Sequence, residues 1–443
     1  MKPPRSRSRV TDLVTVCVLV LALAVTASAV TGLVRGPHGG TSAASPSTPA
    51  APHWVNTWTA MPQLTEPANL PPAPFTGDDA VLVDTTVRQT LRVSAGGHTL
   101  RLRFSNAYGD TPLPLTAVTV ARPQGGRAGV SAVEPGTIRR VTFSGRTSTT
   151  VPEGAQVVSD PLDIDLPAAS RLTVTAYLAD GQQSLALTGH PGSRTTSYLI
   201  HGDHTADTDL PGATAVDHWY LLSDVEVLAK SATRAVAVLG DSLTDGRGST
   251  TNGDNRWTDQ LYDRLRTRPA TAHLAVLNQA AGGNRVLNDG LGPNALARLD
   301  RDVLARSGVS WLIVFEGVND IGTADATPAA QRRVTDDLIT AYQQIVVRAH
   351  AQGIRVYGAT LLPFGGNTQY DDPAGEREKS RQAVNRWIRT KGHFDAVIDF
   401  DRAVRDPAAP NRLRADLQDG DWLHLNPEGY GVLAGAVSGG LFR

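Results

Sequence analysis

The apolar residues of this chain change period near Arg234, and that change limits what each side of it can become. From residue 53 to about residue 230 they alternate. Leu100, Leu102 and Phe104 are separated by Arg101 and Arg103, and Leu172, Val174 and Ala176 by Thr173 and Thr175. Segments 87–94 and 219–228 read the same way, with Gly, Pro, Asn and Asp as punctuation between runs. Side chains along a strand point to opposite faces in turn, so a period of two with one apolar face describes a half-buried strand. Helical periodicity is nearly absent. An antiparallel β-sandwich of jelly-roll type is the expectation.

Beyond Arg234, short apolar runs alternate with longer amphipathic stretches. Strands are predicted at 235–240, 273–278, 310–316, 354–360 and 396–400, and helices at 257–267, 295–306, 327–352, 376–391 and 427–440. Strand–helix alternation implies a mainly parallel sheet with helices on both faces, an α/β architecture. The 443 residues suffice for two ordinary cores. The reading therefore divides the chain into a β-rich domain over 53–230 and an α/β domain over 231–443.

The chemistry lies at the strand ends of the second half. Gly240-Asp241-Ser242-Leu243 directly follows the run Ala235-Val236-Ala237-Val238-Leu239, and Asp421-Trp422-Leu423-His424 stands near the other end of the chain. A serine hydroxyl is a weak nucleophile at neutral pH and needs an imidazole to accept its proton. That imidazole needs a carboxylate to fix its tautomer and stabilise the imidazolium. A spacing of three lets Asp421 and His424 meet on a helical turn or in a tight loop. Two small-residue loops follow further strands: Asn278-Gln279-Ala280-Ala281-Gly282-Gly283-Asn284-Arg285, and Gly317-Val318-Asn319-Asp320. Such loops let backbone N–H groups and an amide side chain converge on a reacting oxygen.

With these four blocks in order, the chain resembles the SGNH hydrolases, the GDSL family of esterases and lipases, over residues 234–443. The resemblance implies a flavodoxin-like three-layer domain with strand order 2-1-3-4-5. It implies Ser242 as nucleophile, His424 as base and Asp421 as its orienter. The oxyanion hole would comprise the N–H groups of Ser242 and Gly283 and the side-chain amide of Asn319. The serine segment lacks the second glycine of a G-x-S-x-G elbow, which argues against an α/β-hydrolase. The β-rich half resembles domains that precede some bacterial SGNH domains. No metal or cofactor is required by this chemistry.

Neighbouring residues invite secondary roles. Arg285 could contact substrate, or pair with Asp320 or with Glu316 at a strand end. Asp241, beside the nucleophile, is a possible substrate contact, although a turn-stabilising role is the plainer reading. His201, His204 and Asp207 could suggest a metal, but their polar, Gly- and Thr-rich surroundings read as a solvated loop. Trp54 and Trp58 could stack on sugars or anchor the first strand. The substrate expected is a carboxylic ester, with a small acyl group on a carbohydrate preferred to a lipid or aryl ester. An acyltransferase shares the same acyl-enzyme, and a glycan-binding protein with a non-catalytic SGNH domain is the alternative outside catalysis.

The address is read from the first residues. Lys2, Arg5, Arg7 and Arg9 precede an apolar run from Leu13 to Val25, and Ala27-Ser28-Ala29 offers a small-residue cleavage site. The apolar character continues to Val34, so residues 1–35 read as a secretory signal or an uncleaved anchor. A Gly-, Ser-, Thr-, Ala- and Pro-rich linker spans 36–52. The only cysteine, Cys17, lies inside the leader, so a processed chain has no disulfide and no thiolate chemistry. A net charge of −1 gives no field for nucleic acid or an anionic membrane.

Overall fold

A computed structural model describes residues 51–443; the leader, and the linker as far as residue 50, lie outside the described residues. In the β-rich half the alternation does what its period requires. Leu100, Leu102 and Phe104 of strand Gly97–Ser105 are fully buried, while Arg101 and Arg103 on the other face pair with Glu226 and Asp224 of strand Leu222–Ala229. That strand lies between Gly97–Ser105 and His53–Thr59 in a five-stranded antiparallel sheet. A six-stranded antiparallel sheet has Thr85–Arg92 and Arg171–Leu178 at its centre. The apolar faces of both sheets share one core, in which Leu102 and Val225 belong with Val87, Leu91, Val120 and Val174. This is the expected antiparallel sandwich.

The α/β half holds a five-stranded parallel sheet in the order Leu274–Ala280, Arg234–Gly240, Val309–Phe315, Arg355–Ala359, Ala396–Ile398. That is the order 2-1-3-4-5. Helix Trp257–Arg266 packs with Pro427–Ala436, and the long helix Pro328–His350 packs with Glu376–Arg389. Asn426 caps the last of the main helices by accepting the N–H of Gly429, and Pro427 occupies its first turn, where a missing N–H costs nothing. The predicted helix at 295–306 is α-helical over Ala295–Leu299 and widens to a π turn over Asp300–Leu304. In the α/β half, the short α-helical turns Ser242–Asp245, Val318–Thr323 and Phe400–Val404 escaped the sequence reading. Each is too brief to show a period. Among the described residues, no helix is long and apolar enough to cross a membrane.

The two halves are one body. The described residues form a single compact unit, and Ala235, Ala275 and Leu277 of the α/β half belong to the core of the sandwich, with Val309 packed against it. Strand Leu274–Ala280 is an edge of the parallel sheet, and the sandwich satisfies its outer groups. Val276 donates its N–H to Ser94 Oγ at 3.2 Å, and Thr59 Oγ1 donates to the Asn278 carbonyl at 3.0 Å. Asn56 donates its N–H to the Ser307 carbonyl at 3.0 Å and accepts the Ser307 N–H on Oδ1 at 2.8 Å. Buried Asp224 receives Asn56 Nδ2 from one side and Arg306 from the other. Separating the halves would expose an apolar face and an uncovered sheet edge. The whole chain is therefore expected to unfold in one calorimetric transition, and a chain beginning at Ser231 to show no cooperative transition. Two resolved transitions in the intact protein would establish independent halves.

Candidate active site

The nucleophile candidate sits at the end of a strand buried along all but its first residue. Strand Arg234–Gly240 has parallel neighbours on both sides, so its C-terminus opens at the point where connections diverge to the two faces, the usual site position in open α/β sheets. Asp241 caps the following turn by accepting the Leu243 N–H at 3.0 Å, and Ser242 begins that turn. Ser242 Oγ donates to His424 Nε2 at 2.7 Å, and His424 Nδ1 donates to Asp421 Oδ2 at 2.6 Å. The other carboxylate oxygen accepts the N–H groups of Leu423 at 2.9 Å and His424 at 2.8 Å. The His424 hydrogen bond, reinforced by the two backbone donors against the opposing effect of burial, holds Asp421 far below the ordinary carboxylate range. Trp422 adopts φ 60°, a conformation costly for a bulky residue, which folds the D-x-x-H segment as a tight loop rather than a helix.

The small-residue loops converge beside Ser242. Gly283 turns through φ 70° after strand Leu274–Ala280, where a side chain would strike Leu291. Asn319 lies in the helical turn after strand Val309–Phe315. Its Nδ2 donates one hydrogen to the Asn284 carbonyl at 2.8 Å, and its Oδ1 accepts the Tyr370 hydroxyl at 2.6 Å. These two bonds fix which end of the amide is nitrogen and leave its second hydrogen for the cleft. Ser242, Gly283, Asn319 and His424 all line one open cleft of about 690 Å³, with Asp421 behind His424.

Residues 238–432 match the model of the GDSL-like lipase/acylhydrolase family. The α/β half belongs to that family. The protein is a serine ester hydrolase. No curated protein matches the chain in sequence. Among solved structures, a GDSL-like lipase from Bacteroides thetaiotaomicron is 17% identical, with 46% of this chain and 85% of that one covered and a TM-score of 0.35. An acetylxylan esterase from Geobacillus stearothermophilus, solved as a catalytic mutant, is 21% identical over 46% of this chain and 91% of that one, with a TM-score of 0.35.

Two secondary expectations for the acylhydrolase domain are corrected. Arg285 does not line the cleft and, among the described residues, makes no ion pair; its guanidinium donates to the Asp289 carbonyl and, at 3.4 Å, to Thr323 Oγ1. Asp320 instead accepts the N–H groups of Val286 and Leu287, both at 2.9 Å, which shapes the loop after Gly283. Glu316 faces Arg298, with Nη2 3.5 Å from Oε2. Asp241 is turned inward as a cap, 1% exposed, and does not line the cleft. The His201–Asp207 segment is a hydrogen-bonded loop, with His204 Nδ1 2.7 Å from Asp207. Among the described residues, no group of three or more His, Cys, Asp or Glu side chains is placed to hold a metal. Trp58 is buried edge-on to Trp219 at 4.8 Å, and Trp54 stacks under Arg101 at 4.3 Å, so both serve packing.

Arg298 is the residue that the sequence reading missed. Its guanidinium donates to Asn284 Oδ1 at 2.8 Å and to the Gln279 carbonyl at 2.6 Å, and contacts the Gly240 carbonyl at 3.4 Å. The signal was present, because Ala295, Arg298, Leu299, Asp302 and Val303 share the inward face of one amphipathic helix. A second missed residue is Tyr370, which holds the Asn319 carbonyl. Tyr370→Phe frees that amide to rotate, and is expected to lower kcat about tenfold, the value of one buried hydrogen bond, with KM little changed. Steady-state kinetics on a short-chain ester checks this.

Three buried acids lie around Arg298 and the nucleophile turn. Burial, only partly opposed by Arg298, pushes Glu316 from its ordinary 4.5 up to about 8. Burial likewise raises Asp241 to about 7 and Asp320 to about 6. The unfolded carboxyls ionise first as pH rises, so the native state holds more protons across this window. Stability from these groups is complete below the ordinary carboxylate pKa and is lost as pH climbs through about 6 to 8. Glu316→Gln removes one of the three. Its Tm is expected to fall less between pH 6 and pH 9 than that of the wild type, measured by thermal melts across pH; an equal fall would show Glu316 to be ionised throughout.

Proposed function

We propose that Ser242 attacks the carbonyl of a small acyl ester, acetate foremost, carried on a carbohydrate. The observation that carries the mechanism is the unbroken relay from Ser242 Oγ to His424 to Asp421, opening on a cleft that Gly283 and Asn319 also line. As Oγ attacks, His424 Nε2 takes its proton and Asp421 stabilises the resulting imidazolium. The developing oxyanion is met by the N–H groups of Ser242 and Gly283 and by the free hydrogen of the Asn319 amide. The N–H at the first position of a helical turn has no acceptor within that turn. Each such donor contributes about 3 kcal/mol to lowering the barrier. His424 returns its proton to the leaving alcohol, and then activates the water that releases the acid. The cleft and the relay need no cofactor for these steps.

The cleft lining supports the substrate class. Gln63, Glu66, Asn69 and Arg194 reach it from the β-rich half, and Asp245, Arg247 and Gln369 from the α/β half. Amides, carboxylates and guanidinium groups at this density suit a hydroxylated leaving group and suit a long acyl chain poorly. The basic and apolar leader supports an exported enzyme that meets such esters outside the cytoplasm.

A fluorophosphonate is expected to add once to the wild type by intact mass spectrometry and not at all to Ser242→Ala, which should also lose about 10⁴-fold or more in kcat. Labelling of both proteins would remove Ser242 from the mechanism. Acetylated glycosides, phospholipids and aryl esters compared on one preparation decide the leaving group, and a higher kcat/KM on phospholipid would replace the carbohydrate reading.

A further inference from the structure

Asp245 ends the helical turn that Ser242 begins, is 2% exposed and lines the same cleft. Its Oδ1 lies 2.9 Å from His190 Nε2, and His190 comes from the β-rich half, on strand Thr188–His190. The other ring nitrogen, Nδ1, lies 3.0 Å from the Met61 carbonyl, and the ring stacks on Trp219 at 5.9 Å. Both nitrogens of His190 thus face acceptors. With a partner on each nitrogen and Trp219 against one face, the ring has a single orientation, and it holds the carboxylate of Asp245 in place. Burial alone would raise Asp245, but His190, with Arg194 and Arg256, more than offsets that effect and keeps it below the ordinary value.

Only half of this carboxylate is engaged by the protein. Among the described residues, Oδ2 has no hydrogen-bond partner. It lies against the backbone of Gly192, where an added Cβ would come within 1.7 Å of it, and a Cβ at Gly282 of the glycine loop would stand 3.8 Å away. Asp245 lines the cleft, so this free oxygen is open to it, and a hydroxyl of a bound substrate can take the place that water otherwise fills. Serving the fold alone, Asp245 would have little reason to stand at the edge of an open cleft, three residues from the nucleophile, with one oxygen unoccupied.

We propose that Asp245 is a specificity-determining residue that accepts a hydroxyl of the substrate beside the reacting ester, and that His190 is the positioning residue that aims it. The inference rests on the carbohydrate reading above and deepens it. It also gives the β-rich half a place in substrate selection, because the residues that hold Asp245 in position, His190 and Gly192, both belong to it. A site built to hydrogen-bond a hydroxyl discriminates strongly against an analogue that lacks one, since its own acceptor is then left unpaired.

The test compares a methyl glycoside bearing one acetyl group with the same glycoside whose remaining hydroxyls are O-methylated, alongside an aryl acetate. The wild type is expected to favour the free hydroxyls by about tenfold or more in kcat/KM, the value of a hydrogen bond to a charged acceptor. Asp245→Asn, His190→Gln and Gly192→Ala are each expected to collapse that ratio towards one, mainly through KM on the hydroxylated glycoside. Gly192→Ala keeps both members of the pair and only displaces the carboxylate, so it separates aim from charge, and melting curves on all three confirm folding. Variants that lose activity equally on both glycosides, keeping the ratio, overturn the assignment of Asp245 and leave the carbohydrate reading intact. A wild type that hydrolyses the aryl acetate but shows no preference for free hydroxyls overturns the carbohydrate reading and the proposal together, while the serine esterase chemistry stands.

Discussion

One buried guanidinium ties the catalytic loops to each other. Arg298 reaches the carbonyl that ends the nucleophile strand at Gly240, the carbonyl of Gln279 at the end of the next strand, the Asn284 side chain in the glycine loop and Glu316 at the end of a third strand. A parallel sheet leaves carbonyl groups unpaired at its C-terminal end, and at a site entrance water is a poor substitute for a fixed donor. Placing a planar cation with five donors under that end satisfies them together and sets the spacing of the loops that carry Ser242, Gly283 and Asn319. Such a cation needs acidic company, which Asp302 and Glu316 supply. Burial is what raises the pKa of Glu316, and Arg298, shared among several acceptors, offsets only part of that rise.

The relay of Ser242, His424 and Asp421 is built differently, from local geometry. Asp421 takes two backbone donors from its own loop with one oxygen and the imidazole with the other, so three hydrogen bonds fix the orientation of His424. The left-handed turn at Trp422 makes that closure possible within four residues. Asn319 is fixed from both ends of its amide, by Asn284 and Tyr370. Preorganisation of this kind matters because donors already aimed at the oxyanion need not reorient as charge develops.

Much of this was legible in the sequence, and the exceptions share a cause. The parallel strands were readable because strands buried on both faces are short continuous apolar runs bounded by glycine and turn residues, as at 235–240 and 310–316. Ser242, Asp421 and His424 were readable because their chemistry is bound to fixed local spacings. Arg285 was a candidate for Glu316 because both flank the proposed site; the partner is Arg298, whose place on the helix Ala295–Leu299 turns it under the strand ends, which no local spacing reveals. Tyr370 and His190 were invisible for the same reason, since each reaches the site from a segment whose local pattern says nothing about catalysis. The sheets change from antiparallel to parallel where the apolar period changes, and the core that crosses this point is a tertiary fact that no period reveals.

The way strand Leu274–Ala280 is covered has a consequence for how the chain reaches its native state. The groups that complete that edge, Thr59 and Ser94, are separated from their partners by 219 and 182 residues, and Asn56 from Ser307 by 251. Contacts this distant in sequence make for slow folding, because a long loop must close before they form. The first strand therefore emerges from the ribosome long before its partner exists, and the sandwich can gather its own sheets while one flank stays bare. During that interval the exposed flank is the surface most open to association with other chains. Holding the chain unfolded until its last strand has been made would remove that hazard.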